Sequence, residues 1–430
     1  MRECITRSSS VNCGRRSRWT WRASAECSSS PSEPASTSIS DRASAVRSFH
    51  LSNGTIVNFR ILSFFLLLSL FVPASAKDTE AIRGVWLTNV DSDVLLSRAS
   101  IDRAVEHCAS IGINTIFAVT WNKAMTTYPS AVVQKVTGRA IDTLYTGRDP
   151  LKELIESAHR RGIKVIAWFE FGFSSSYKLN GGTLLQARPH WASMNAEGKL
   201  VTKNGFDWMN AFHPEVQDFL LAMVLEVVRN YDIDGVQGDD RLPAMPSEGG
   251  YDAYTVARYR SEHAGKQPPV NHKDPAWIQW RADILNAFMK RMYTEVKAIK
   301  PDVTVAMAPS VYPWSKEEYL QDWPTWLRNG WVDQVIPQIY RYKLEQYVAT
   351  LDEIRASQIE KEKMDRFTPG LLLKVGEYHP SQDLLSAMIS ENRKRGVQGE
   401  VYFFYEGLKY YPDFFRNVYT DKAKFPSLSN

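Results

Sequence analysis

The 430-residue chain carries 44% apolar and 23% charged side chains, an ordinary balance for a folded protein with a large core, which excludes a disordered or fibrous class. Its formal net charge of +4 comes largely from residues 1–60, where Arg2, Arg7, Arg15, Arg16, Arg18, Arg22, Arg42 and Arg47 face few acids, so the remainder lacks the basic surface that nucleic-acid binding needs. Cysteines stand at 4, 13, 27 and 108; beyond residue 76 only Cys108 is left, so neither a disulfide nor a Cys/His zinc site is available there, and no metal or cofactor is expected.

Residues 1–58 are rich in Ser and Arg and show no hydrophobic period, the pattern of an unstructured extension or of a mis-assigned start upstream of a true one near Val57. Residues 59–76, FRILSFFLLLSLFVPASA, then set an arginine before a short apolar run, followed by Pro73 and an Ala-Ser-Ala tripeptide. This is the layout of a secretory signal cleaved near Ala76. The run from Ile61 to Val72 is shorter than the roughly 20 residues of a membrane-spanning helix. A periplasmic or extracellular protein, without stable membrane insertion after cleavage, is the expectation.

Eight short apolar runs follow: Arg83–Asn89, Asn114–Asn122, Lys164–Phe173, Asp234–Arg241, Thr304–Ser310, Val332–Tyr340, Thr368–Gly376 and Gly399–Leu408. Between them lie helix-period segments at Arg98–Ile111, Pro150–Arg161, Glu215–Tyr231, Ala276–Ile299, Glu318–Arg328, Gln346–Gln358 and Gln382–Arg395, several stopped by a glycine such as Gly112, Gly162 or Gly396. Strand–helix alternation, with strands apolar on both faces, predicts an α/β fold: a single (β/α)₈ TIM barrel over residues 81–415, with residues 416–430 as a C-terminal tail. Gly-rich dinucleotide turns that would favour a doubly wound open sheet are absent after the first strand. The connections after strands 2, 3 and 4 are long and lie on the face where such barrels carry active sites, so a substrate groove is expected there.

Polar residues at the C-terminal strand ends are the candidate site: Asn89, Trp121 and Asn122, Glu170, Asp239 and Asp240, Gln338 and Tyr340, Lys374, Tyr405 and Glu406. Carboxylates recurring on three strands among many aromatics suit glycoside hydrolysis, in which one carboxyl protonates the leaving oxygen and a second faces the anomeric carbon. Within Asp234–Arg241, strand alternation sends Asp239 and Asp240 to opposite sides, so one of them aims at the barrel axis. Asp239 is favoured, with Asp240 in support, and a one-residue slip would exchange them. Glu170, inside the apolar Trp168-Phe169-Glu170-Phe171, is costly to bury unless paired or functional, and such surroundings raise a carboxyl pKa as a general acid requires. Glu406 is the rival acid. Trp121, Trp168, Trp208 and Tyr340 offer flat faces to sugar rings, with core packing as the competing role.

The ordered set RGVWLTN, GINTIFAVTWN, AWFEF, DGVQGDD and PQIYRY resembles the bacterial glycosyl-hydrolase-like family 10 proteins over nearly all of residues 81–415. The resemblance implies a TIM barrel distantly similar to amylase-type enzymes, export, and action on cell-wall glycan. The spacing from Asp234 to Asp239 is similar to the fourth-strand motif of amylase-type barrels, in which the later Asp is the nucleophile. Strand 5 departs from that pattern, because Ala306-Met307-Ala308-Pro309-Ser310 offers no Glu as acid. The expected function is therefore an exported glycoside hydrolase acting on a polysaccharide or cell-wall glycan, and a catalytically inactive carbohydrate-binding barrel is the alternative.

Overall fold

The computed structural model describes residues 79–426. The expected extension and signal, residues 1–58 and 59–76, lie outside the described residues. All eight predicted strands form, shorter than the apolar runs that announced them: β1 Arg83–Leu87, β2 Thr115–Val119, β3 Lys164–Trp168, β4 Gly235–Gly238, β5 Thr304–Met307, β6 Gln334–Val335, β7 Gly370–Leu372 and β8 Glu400–Phe403. They are parallel, each beside the next from β1 to β6, with β8 against β1 and β7 against β8. Parallel bridges Val335–Phe367 and Gln338–Gly370 join β6 to β7 and close the ring. The result is a TIM barrel.

Among the described residues, the helices that connect successive strands include α1 Arg98–Ser110, α2 Pro150–His159, α3 Pro214–Asn230, α4 Pro275–Ile299, α5 Trp323–Arg328, α6 Leu344–Glu353 and α7 Gln382–Lys394. Their starts repeat one chemistry. Asp149, His213 and Asp274 each accept a backbone N–H of the first turn and are followed by Pro, whose missing N–H costs nothing there. Three ends repeat another: Gly112, Gly162 and Gly396 take positive φ, and the next residue donates back across the last turn (Ile113 to Cys108, Ile163 to Ala158, Val397 to Asn392, each 3.0 Å). None of the described helices is long and apolar enough to cross a membrane.

Register fixes the barrel interior. Trp86, Phe117, Ile166 and Gly235 are aligned across β1 to β4, and Trp168 is aligned with Gln237 one layer above. Trp86 touches the rings of Phe117, Trp168 and Phe403 and donates to Gln237 Oε1 at 2.7 Å. Room for these rings comes from small residues: a Cβ on Gly235 would lie 2.6 Å from Ile166 Cδ1 and 2.7 Å from Thr304 O.

Two expectations need correction. The single helix expected over Glu318–Arg328 is two, Trp314–Tyr319 and α5, because Leu320 adopts a left-handed conformation (φ 59°) that ends the first. Packing also continues past Phe415 into the expected tail: Tyr419 is buried, Asp421 pairs with Arg83 at 2.7 Å, and Ala423–Lys424 pairs with Thr79–Glu80.

The long βα loops are built structure. Loop 3 holds a three-stranded antiparallel sheet (Ser174–Tyr177, Thr202–Lys203, Phe206–Trp208), tied by Asp207, which accepts from Ser176, Thr202 and Gly181. Loop 4 is clamped by Arg281 of α4, a buried guanidinium that donates to the carbonyls of Ser247, Gly249 and His272.

Candidate active site

Strand β4 stops at Gly238, and the chain turns at once: Leu242 N donates to Asp239 O (3.2 Å) and Arg241 N to Asp239 Oδ1 (3.0 Å). A Cβ on Gly238 would fall 2.2 Å from Leu242 O, so the turn requires glycine at that place. Gln321, buried just after Leu320, donates to Asp239 O at 2.7 Å and Pro243 O at 3.3 Å, pinning the turn from behind. This overturns the expectation that only one of the two aspartates aims inward. Alternation holds only along a strand, and here the strand has ended, so Asp239, Asp240 and Arg241 converge on Glu170.

Arg241 is the hub. Its guanidinium meets Asp239 Oδ2 at 3.1 Å, Asp240 Oδ1 at 3.0 Å and Glu170 Oε1 at 3.6 Å, its Nε donates to Glu170 O at 2.9 Å, and its plane lies 4.7 Å from the centre of the Phe206 ring. Burial disfavours its charge, yet the three carboxylates outweigh that and hold it firmly protonated. Glu170 is 1% exposed and Asp239 2%, whereas the Asp240 side chain keeps 27% in solvent. Burial first, then the charge of Asp240, pushes Glu170 up to about 7 against the pull of Arg241. Asp239 is raised well above the carboxylate range by burial, Asp240 and Glu170, again against Arg241. Three carboxylates about one guanidinium cannot all ionise in so dry a place, so the group retains a proton near neutral pH.

The other strands complete the mouth. Asn122, after β2, donates to Glu170 Oε2 at 2.9 Å and to Asn89 Oδ1 at 3.0 Å, and Thr88, after β1, reaches Glu170 Oε2 at 3.5 Å. Tyr340, after β6, lies half-buried with its ring 5.5 Å from that of Phe403; burial and the charges of Asp240, Asp239 and Glu170 keep its hydroxyl protonated. Tyr319 likewise feels burial and Asp240.

Several expected residues lie elsewhere. Trp121 is enclosed between Phe171 and Phe219 of α3, its N–H on Gly172 O (3.0 Å); Trp168 lies in the barrel interior beside Trp86; Trp208 packs on Tyr319 inside loop 3. None of the three offers an open face to a sugar: α3 and loop 3 cover Trp121 and Trp208, and the barrel interior encloses Trp168. Gln338 is spent on Ala308 O (3.0 Å), and Lys374 donates to Gly376 O (2.6 Å) with its ammonium over Phe404. Tyr405 turns to His107 of α1, and Glu406 accepts from Ser92 Oγ at 2.9 Å, whereas the bonds of Arg241 go to Glu170 and the aspartates. Sequence reading missed Arg241 as the organiser, and Thr88 and Gln321 altogether. An arginine directly after two acids at a strand end was the available signal for the first.

A closed parallel barrel whose mouth gathers three carboxyl groups, one holding its proton near neutral pH, defines a glycoside-hydrolase-type TIM barrel. The chain belongs to the glycosyl hydrolase-like 10 family, which matches residues 81–373. It is similar to the glycosyl hydrolase DigH of Escherichia coli K12, 26% identical over 315 residues covering 62% of this chain and 67% of that protein. It is also similar to the glycosyl hydrolase YngK of Bacillus subtilis, 25% identical over 322 residues, 66% of this chain and 59% of that one. These family ties point to glycoside hydrolase activity. Among solved structures, the fold is shared with the PgaB (BpsB) glycoside hydrolase domain of Bordetella bronchiseptica (TM-score 0.59, 15% identity, 80% of this chain and 99% of that one). An α-L-fucosidase of Paenibacillus thiaminolyticus shares it too (TM-score 0.56, 17% identity, 79% and 49%).

Proposed function

We propose that this protein is an exported hydrolase of polysaccharide, with cell-wall glycan as its substrate class. Residues 59–76 serve as the export signal. Glu170 gives its proton to the glycosidic oxygen, and Asp239 is the carboxylate that faces the anomeric carbon. Asp240, the most open of the three, completes the charge at the entrance. The observation that carries the reading is the buried, under-paired Glu170 beside two aspartates on one guanidinium: the group keeps a proton near neutral pH, and the closer Arg241 contact of Asp239 (3.1 Å against 3.6 Å) favours Asp239 as the ionised member and Glu170 as the acid. It also supports Glu170 over Glu406 as acid, because Glu170 is buried beside the two aspartates whereas Glu406 is half-buried and bound to Ser92.

The alternative, a binding barrel without catalysis, has one observation in its favour: Arg241 fills the space among the carboxylates. The two readings part in one experiment. Purified peptidoglycan, with and without its stem peptides, is incubated with the protein and with its Asp239→Asn and Glu170→Gln variants, and soluble saccharides are measured. Release by the parent alone supports hydrolysis; saturable binding by all three without release means a recognition module.

A further inference from the structure

The long loops 2 to 4 were the expected groove, yet their tryptophans are walled in. The two most exposed aromatic rings of this barrel face stand instead on loop 6 (residues 336–343) and loop 8 (residues 404–413), with loop 7 (residues 373–381) between them. Among the described residues, the large apolar side chains mostly in solvent include two aromatics, Tyr342 at 39% and Tyr410 at 36%, on loops 6 and 8. Loop 7 bridges them. Tyr342 meets Tyr378 edge to face at 4.7 Å, and His379, the next residue, stacks on Tyr410 at 4.2 Å.

This row is braced by backbone. Val375 and Tyr378 exchange hydrogen bonds of 3.0 and 2.9 Å that fold loop 7 into a hairpin, and Tyr411 Oη donates to Pro380 O at 2.6 Å, fastening loop 7 to loop 8. Rings held this way lose little freedom when a ligand arrives, so contact area converts more fully into affinity. A single exposed tyrosine means nothing, but a contiguous row is a surface feature that asks for an occupant.

Continuity with the carboxylates names that occupant. Tyr340 packs on Phe403 at the end of β8 and stands two residues before Tyr342 on loop 6, so the aromatic row shares that loop with the candidate active site. We propose that Tyr342, Tyr378, His379 and Tyr410 form a distal subsite that stacks on sugar units of a glycan chain, away from the bond at Glu170. The proposal rests on the glycan-hydrolase reading. Flat rings with polar edges suit pyranose faces, whose axial C–H bonds are apolar and whose equatorial hydroxyls are not. A protein so equipped grips a polymer and gains little from a short sugar.

The test uses the Glu170→Gln protein, which under the hydrolase reading should bind substrate without cutting it, and adds Tyr342→Ala with Tyr378→Ala, or Tyr410→Ala. Binding to insoluble peptidoglycan glycan freed of stem peptides is read by co-sedimentation, with thermal melts confirming folding. In the parent background, KM for the same polymer is read against kcat. Loss of the Tyr342–Tyr378 pair should weaken polymer binding about tenfold and raise KM to match, with kcat moving less than twofold. Tyr410→Ala should do the same more weakly, since Lys409 and His379 already cover part of that ring. If Glu170→Gln protein binds the polymer and the tyrosine variants bind equally well, the subsite is wrong and the hydrolase reading stands. If the parent neither binds nor cleaves any glycan, the hydrolase reading falls and takes this occupant with it.

Discussion

The barrel buries a glutamate at each end and holds the two differently. Glu400 opens β8 at the N-terminal end, where Arg393 meets its two oxygens at 2.5 and 3.1 Å, Asn392 donates at 3.0 Å and the Tyr419 hydroxyl at 2.9 Å. The donors are held in turn, since Tyr347 donates to Asn392 at 2.7 Å and Tyr402 shares a 2.6 Å bond with Tyr419. Glu170 at the opposite end has one short side-chain bond, from Asn122, a 3.5 Å hydroxyl and a guanidinium at 3.6 Å that it shares with two aspartates. Burial is the same and pairing is not. A saturated buried carboxylate is a strut; an under-paired one keeps a proton it can give away.

Substitutions at the two ends should therefore have opposite signatures. Glu170→Gln should lower kcat by about 10²–10⁴, the span of general acid catalysis. It should also stabilise the fold at alkaline pH. The folded pKa of Glu170, about 7, exceeds its ordinary 4.5, so the proton it holds contributes stability below about 4.5 that is lost as pH rises through 7. Glutamine does not titrate, so the variant should gain up to roughly 3 kcal/mol over the parent above pH 7 and nothing near pH 4, as urea unfolding would read. For the same reason kcat/KM of the parent should fall above about pH 7, where the acid loses its proton. A parent that is most active well above that pH would take the acid role away from Glu170.

At the other end, Arg393→Met leaves Glu400 buried without its counter-ion and should cost about 3–5 kcal/mol, with kcat within a few-fold of the parent at temperatures where the fold survives. Equal losses of kcat in both variants would erase the distinction between strut and acid.

The eight strands were legible because each is a short, largely apolar run that alternates with helix-period segments, three of which stop at a glycine just before the next strand. Glu170 was legible for a related reason: a lone acid inside Trp-Phe-Glu-Phe has to answer for its burial. What strand alternation could not reveal is the turn at Asp239, where pleating ends one residue after Gly238 and both aspartates swing to the same side. The tryptophans were misread because Trp121 and Trp208 sit at strand ends yet are covered by α3 and loop 3, whose placement depends on contacts distant in sequence. Arg241 entered the sequence reading only as the end of the Asp234–Arg241 run; its role as hub needs Glu170, two residues past β3, beside it, which the sequence does not state.

Gln321 gives the smallest and sharpest test of the comparison. Its amide supports the carbonyls of Asp239 and Pro243, so Gln321→Leu takes the donor from Pro243 O and leaves Asp239 O with the Leu242 N–H alone, at about 1–3 kcal/mol, much as Asn392→Leu would leave Glu400 and Tyr347 short of partners. The two variants should lose similar stability in denaturant. They should differ in turnover: Gln321 holds the turn that aims Asp239, so kcat should fall about tenfold, near 1.4 kcal/mol of barrel-mouth geometry, whereas Asn392→Leu should leave kcat alone. Because Gln321 follows Leu320, this is also why the fifth helix is broken where it is: the left-handed residue ends one helix so that the next side chain can reach under the carboxylates. Unchanged kcat in Gln321→Leu would mean that Gly238 and the Arg241 bonds hold the turn without it.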